Sequence, residues 1–278
     1  MLIIGERLNA TRKTIAAAIR ERNENFITAE ASAQLRAGAM MLDVNAGFDP
    51  DTEKENLNFL VKTVLNASIT PLCLDSSSPE TLEAALQTAD RFHHLYVPTS
   101  DSNAPFIMIN SITAEQDKYD SILPLIKDNA HAVIALCIGD DGMPADADER
   151  FKVGVRLVDK LLSDGIAAKN IYVDPLVVPV GVNPAGGTDA LTALKQIKGR
   201  FPDVNTILGL SNISFGLPGR SSINQAYLAM AVLAGVDAVI IDPLDQKLMS
   251  TLKSALAIAG KDPFCSDYIA HYRTRNRG

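Results

Sequence analysis

The sequence predicts an α/β chain folded as a (β/α)8 TIM barrel with a single domain. Three observations carry this reading. Eight short apolar runs recur roughly every 30–40 residues. Each run ends at a polar residue and leads, through a turn, into an amphipathic stretch of helical length. The 278 residues match the about 250 that eight strand–helix units occupy.

The runs are residues 2–5, 40–44, 71–74, 106–109, 132–138, 171–173, 206–210 and 238–241. They are rich in Val, Ile and Leu and are continuous rather than alternating, which suits strands covered on both faces of a parallel sheet. The intervening helices are expected at 24–37, 50–65, 79–92, 114–128, 147–163, 189–200, 223–235 and 246–259. Asp49-Pro50 and Ser78-Pro79 read as caps followed by proline at the first helical position. Thr113 with Gln116, Asp146 with Glu149, and Ser222 with Gln225 have the spacing of capping boxes. The helix at 223–235 is apolar almost all round, so it is expected either to pack under its neighbours or to meet a second subunit. The polar connection 92–105 is longer than the barrel rhythm requires and reads as a surface insertion. A doubly wound open sheet would want a Gly-rich turn after the first strand. Gly5-Glu6-Arg7-Leu8-Asn9 offers one glycine.

Composition narrows the function classes. Net charge is −7, which disfavours a sequence-independent nucleic-acid binder. The basic stretch 272–277 reads as a solvated tail. No apolar run reaches the roughly 18 residues of a membrane span, and the first residues lack the order of a signal peptide. Three cysteines, none in a CxxC, argue against a disulfide framework or a zinc ribbon. A cytoplasmic protein is expected.

In barrels of this type chemistry sits at the C-terminal ends of the strands. The eight ends present Glu6 and Asn9, Asp43 and Asn45, Asp75, Asn110 and Ser111, Asp140 and Asp141, Asp174, Ser211 with Asn212 and Ser214, and Asp242. Taken singly, several read as helix caps or turn residues, and Asp242 before Pro243 is expected to cap the next helix. Capping does not account for Asp75, because Ser78 already serves, nor for Asp174, which precedes Pro175 where no helix starts. Together they form a rim of acids and amides. Arg7 and Arg220 are the nearby cations, too few for a phosphate grip. The four histidines lie away from these ends, which disfavours a histidine-ligated metal or a Ser-His-Asp triad. Acids and amides suit a flat heterocycle: a carboxylate accepts two hydrogens from an amino-pyrimidine edge, and an amide both donates and accepts.

Six motifs in series, IIGERLN from Ile3, LDVN from Leu42, LCLDS from Leu72, MINS from Met108, YVDPL from Tyr172 and GLSNIS from Gly209, resemble the methyltetrahydrofolate:corrinoid methyltransferases over essentially the whole chain. That family includes the folate domain of cobalamin-dependent methionine synthase. The resemblance implies a pterin-binding barrel over 1–278, shared with dihydropteroate synthases and usually dimeric. It implies methyl transfer between N5 of tetrahydrofolate, or 5-methyltetrahydrofolate, and the cobalt of a corrinoid. By motif position Asp75, Asn110 and Asp174 hold the pterin, Asn212 approaches N5, and Ser211 and Arg220 contact folate; Glu6 and Asp43 complete the substrate ring. No DxHxxG corrinoid signature is present, so the cobalamin is expected on a separate corrinoid protein, with no protein-bound metal in this chain. Phe215 stands where the resembling enzymes often have Gln, and the 92–105 connection is unlike that of the family's acetogen member, which serves the corrinoid iron–sulfur protein. The rival readings are a dihydropteroate synthase, which should carry a Lys and a basic pyrophosphate grip at the last strands, and a non-catalytic pterin or corrinoid carrier.

Overall fold

The computed structural model describes residues 1–98, 104–127 and 131–275. Eight parallel strands close on themselves in chain order: β1 (Leu2–Asn9), β2 (Met41–Asn45), β3 (Leu72–Asp75), β4 (Ile107–Thr113), β5 (Ala132–Leu136), β6 (Ile171–Asp174), β7 (Asn205–Gly209) and β8 (Ala238–Ile241), with β8 paired back to β1. The expected (β/α)8 barrel is the observed fold.

Alternation explains how continuous apolar runs build it. Successive side chains on a strand point to opposite faces. Leu42, Leu74, Ile109, Val133 and Val173 face outward and pack against the helices. Ile4, Met41, Cys73, Met108, Ile134 and Tyr172 fill the barrel interior, each at most 7% exposed. Two residues further along the same inward rows come Glu6, Asp43, Asp75, Asn110 and Asp174, so the period of two delivers a polar ring to the C-terminal mouth.

The helices are α1 (Lys13–Arg20), α2 (Glu24–Arg36), α3 (Glu53–Ala67), α4 (Pro79–His93), α5 (Gln116–Lys127), α6 (Ala147–Ser163), α7 (Gly186–Arg200), α8 (Arg220–Ala234), α9 (Gln246–Ile258) and α10 (Ser266–Arg275). All eight expected helices exist; the end of the fifth, at Asp128, lies outside the described residues. α1 and α10 were not expected. Two caps behave as the sequence suggests. Ser78 Oγ accepts from Thr81 N at 3.2 Å, and Asp146 Oδ1 from Glu149 N at 2.9 Å. Others do not. Asp49 accepts from Asp51 N and Thr52 Oγ1 in a turn, so α3 starts three residues later than Pro50 suggested. Gln116 N is taken by Asp140 Oδ1 from the β5 loop rather than by Thr113. α8 starts at Arg220 behind a left-handed Gly219, and Gln225 Nε2 turns back to Ser221 instead of pairing with Ser222.

The connection after α4 is not merely a surface insertion. Phe106 stacks against His93 and Tyr96, Tyr96 Oη donates to Ala104 O at 3.0 Å, and Ala104 is buried with Leu2 and Tyr172 at the N-terminal end of the barrel. Residues 99–103 of that connection, and the end of the basic tail at 276–278, lie outside the described residues. α8 buries Tyr227, Leu228, Ala231 and Val232, while Leu233 stays 76% exposed. No helix among the described residues is long and apolar enough to cross a membrane.

Candidate active site at the barrel mouth

Strand register sets the site. Asp75 on β3 stands opposite Asn110 on β4 and opposite Asn45 on β2. Asn45 Nδ2 donates to Asp75 Oδ2 at 3.0 Å, and Asn110 Nδ2 reaches Asp43 Oδ1 at 3.5 Å. One strand pair beyond, Asp174 stands opposite Leu136, and its Oδ1 accepts from Leu176 N at 2.8 Å. Asp43, Asp75 and Asn110 thus meet across adjacent strands, and Asp174 ends its own strand two strands further round the same mouth.

Burial dominates the electrostatics. It pushes the Asp174 carboxyl up to about 6, against the pull of the Leu176 and Gly209 amides. Asp75 is likewise raised to about 6 by burial; the Asn45 amide opposes the shift and the Glu53 charge adds to it. Asp43 is pushed well above the usual carboxylate range by burial first and by the charge of Asp75 second. Glu6 is raised mainly by burial, partly offset by a hydroxyl from Ser211. Below them Cys73 is buried and its thiol is pushed up, first by burial and then by the Asp43 charge. The mouth therefore gathers acids whose ionisation burial opposes beside neutral amides that can donate and accept.

The β7 end is a 3-10 turn, Leu210–Ser214. Asn212 is exposed on it, and among the described residues its carboxamide has no hydrogen-bond partner. Gly209 makes room: a Cβ there would lie 3.3 Å from Asn212 Nδ2. Ser211 and Arg220 sit at the same mouth but are engaged within the protein. Ser211 Oγ donates to Glu6 Oε2 at 2.8 Å; Arg220 Nη2 donates to Ser211 O at 2.7 Å and Nε to Ser214 Oγ at 3.0 Å. Arg220 thus frames the turn that carries Asn212.

Asp242 is not a helix cap. Asp245 caps α9, accepting from Lys247 N and Leu248 N. Asp242 accepts from Leu244 N, from Arg7 Nη1 at 2.9 Å and from Arg12 Nη2 at 3.2 Å. Arg7 also pairs with Glu30. Sequence reasoning missed the roles of Asn45 and Arg12. For Asn45 the signal was its place two residues after Asp43 on one inward row; for Arg12, beyond the strand, there was none. A cavity of about 180 Å³ between β7, β8 and α8 is lined by Glu6, Ser211, Arg220, Asn224, Asp242 and Asp245, three of them acids. Among the described residues no cluster of three His, Cys, Asp or Glu side chains is arranged to hold a metal ion.

Comparison with known proteins gives the family. Residues 5–242 match the family described as pterin binding enzyme. The chain is 30% identical to the methylcorrinoid:tetrahydrofolate methyltransferase of Eubacterium limosum over 98% of its own length and 96% of that protein. It is 28% identical to the methionine synthase of Mycobacterium tuberculosis over 87% of its length, spanning 20% of that larger enzyme. Among solved structures it is similar to dihydropteroate synthase from Xanthomonas albilineans (TM-score 0.66, 18% identity, 92% of this chain and 93% of that one). It is similar also to the Yersinia pestis DHPS bound to a pterine-sulfa conjugate (TM-score 0.65, 16% identity, 95% and 94%). By the family match and the full-length relative, this chain belongs to the pterin-binding enzymes.

Proposed function

We propose that the protein is a methyltransferase that moves a methyl group between N5 of (methyl)tetrahydrofolate and the cobalt of a corrinoid carried by a separate protein. The observation that carries this reading is the set of half-buried Asp75 and Asn110 and buried Asp174 sharing one mouth with Asn212, whose carboxamide has no hydrogen-bond partner among the described residues. The full-length relative whose name couples methylcorrinoid to tetrahydrofolate supports it.

In this reading the Asp75 and Asp174 carboxylates accept hydrogens from the amino-pyrimidine edge of the pterin, Asn110 pairs with a donor–acceptor edge of the ring, and Glu6 and Asp43 close the ring of partners. The reacting bond runs between N5 and the methyl carbon. When the methyl leaves folate for reduced cobalt, the N5–methyl bonding pair stays on nitrogen while cobalt supplies the pair for the new bond, and N5 takes up one proton from solvent so that tetrahydrofolate leaves neutral. Asn212 hydrogen-bonds at N5 and stabilises it as that proton and the methyl exchange places. That hydrogen bond accelerates transfer to the extent that it is stronger in the transition state than in the ground state. Positioning of the two substrates in line supplies the remainder. Transfer in the opposite direction, onto tetrahydrofolate, uses the same contacts reversed.

A pyrophosphate-handling dihydropteroate synthase is the weaker reading: around the β7 and β8 ends stand Glu6, Asp242 and Asp245, and the one arginine of that cavity, Arg220, is bound to its own loop. The exposed apolar side chains of α8 and α9, Met230, Leu233 and Ile258, suit a homodimer contact, and the chemistry belongs to the cytoplasm. The deciding experiment supplies methyltetrahydrofolate and free Co(I) cobalamin and follows cobalt absorbance. Enzyme-dependent methylation is the expected result; none with either free cobalamin or a corrinoid protein removes the proposal and leaves a carrier.

A further inference from the structure

Arg150, at the end of the first turn of α6, is fully buried (0% exposed). Its guanidinium faces carbonyls: Nη1 donates to Asp146 O at 2.9 Å, Nε to Leu176 O at 3.4 Å, and Nη2 has no partner. Among the described residues no carboxylate forms an ion pair with it. A buried cation held this way is a poor source of stability, so its place in the fold points to another role.

Leu176 supplies that role. It follows Asp174 by two residues and has φ of +64°, a conformation rare for a residue with a side chain and costly by about 1 kcal/mol or more. The two polar groups of this one left-handed residue are both used. Its N–H donates to Asp174 Oδ1 at 2.8 Å, and its carbonyl accepts from Arg150. The arginine therefore grips one side of a turn whose other side grips the Asp174 carboxylate.

We propose that Arg150 is a positioning residue for the pterin: by pinning the Leu176 carbonyl it holds the left-handed turn that orients Asp174 at the barrel mouth. The inference rests on the folate reading of that mouth. Asp174 binds substrate and transition state alike in this reading, so the loss should fall on affinity and not on the rate at saturation.

The test is tetrahydrofolate calorimetry and steady-state kinetics on Arg150→Met, Asp174→Asn and the double variant. Each single change is expected to weaken folate binding by about tenfold or more, with KM raised and kcat within about twofold. The double variant should bind no more weakly than Asp174→Asn alone, because both act through one carboxylate. Adding Leu176→Gly to Arg150→Met should recover several-fold, since glycine takes the left-handed turn without a side-chain cost. Additive losses in the double variant, or no recovery with glycine, overturn the proposal. If Arg150→Met does not fold, Leu176→Val tests the same turn with the guanidinium intact: weakened binding supports the proposal, and unchanged binding overturns it. Unchanged affinity in Asp174→Asn overturns the folate reading itself and the positioning role with it, whereas weakened Asp174→Asn beside unaffected Arg150→Met overturns the positioning role alone.

Discussion

Asn45 and Asp75 face each other across β2 and β3, and the Asn45 amide donates 3.0 Å to Asp75 Oδ2. One oxygen of the carboxylate is thereby fixed by the protein, and that amide is the group that restrains the upward shift burial imposes on Asp75. Asn45→Leu should raise Asp75 further and weaken folate binding by roughly five- to tenfold, the range for one net hydrogen bond. Asp75→Ala should weaken it more. Calorimetry at pH 7 that shows Asn45→Leu binding like wild type would remove this coupling.

Asn212→Ala should slow methyl transfer by about 10- to 1000-fold, the range for losing one transition-state donor. Melting temperature should be unchanged because the side chain is exposed and unbonded. Stopped-flow rates near wild type at saturating folate would exclude Asn212 from the reacting centre.

Folate affinity should fall on acidification through about pH 6. The ionised forms of Asp75 and Asp174 are the acceptors in the proposed complex, and both titrate near 6. Affinity that is flat from pH 5 to 8 would contradict the carboxylate clamp.

The same shift has an opposite sign for stability. The folded-state value of Asp174 lies above the unfolded value of about 3.9, so the folded state binds its proton more tightly. Its favourable contribution is complete below about pH 4 and is lost as pH rises through about 6. Asp174→Asn should therefore melt a few degrees higher than wild type at pH 8, with the gain shrinking toward pH 4, while folate binding is weakened about tenfold or more. A variant that melts lower at pH 8 would show that the carboxylate is needed for the Leu176 and Gly209 amides rather than tolerated for function.

Arg220→Ala should reduce kcat several-fold, on the order of misplacing one reacting group, and leave folate affinity nearly unchanged. The guanidinium is bonded to Ser211 O and Ser214 Oγ, so it frames the Asn212 turn. A large loss of affinity with kcat preserved would instead make Arg220 a direct ligand.

The sequence displays the barrel because its information is periodic: apolar runs, inward alternation and spacing all repeat eight times over. The acids and amides that end the inward rows were legible for the same reason. Contacts between distant segments left no such trace. Asp242 looked like a cap because Pro243 follows it, yet two arginines from the other end of the chain claim it. Ser211 and Arg220 are at the mouth as expected, but their hydroxyl and guanidinium are already committed to Glu6 and to the loop. The start of α3 shifted because Asp49 closes a local turn in competition with the cap geometry. Arg150 gave no signal at all, since a charged residue near a helix start ordinarily faces water.

Beneath Asp43 and Cys73 the barrel is filled by Ile4, Met41, Met108, Ile134 and Tyr172, and Ala104 is tucked in among them from below. For the proposed substrates this packing closes the interior from below among the described residues and leaves the mouth as the way in. The flat heterocycle has to be seated before the bulky macrocycle arrives above it, and it cannot depart until that visitor has left, so turnover would follow a compulsory order of arrivals and departures.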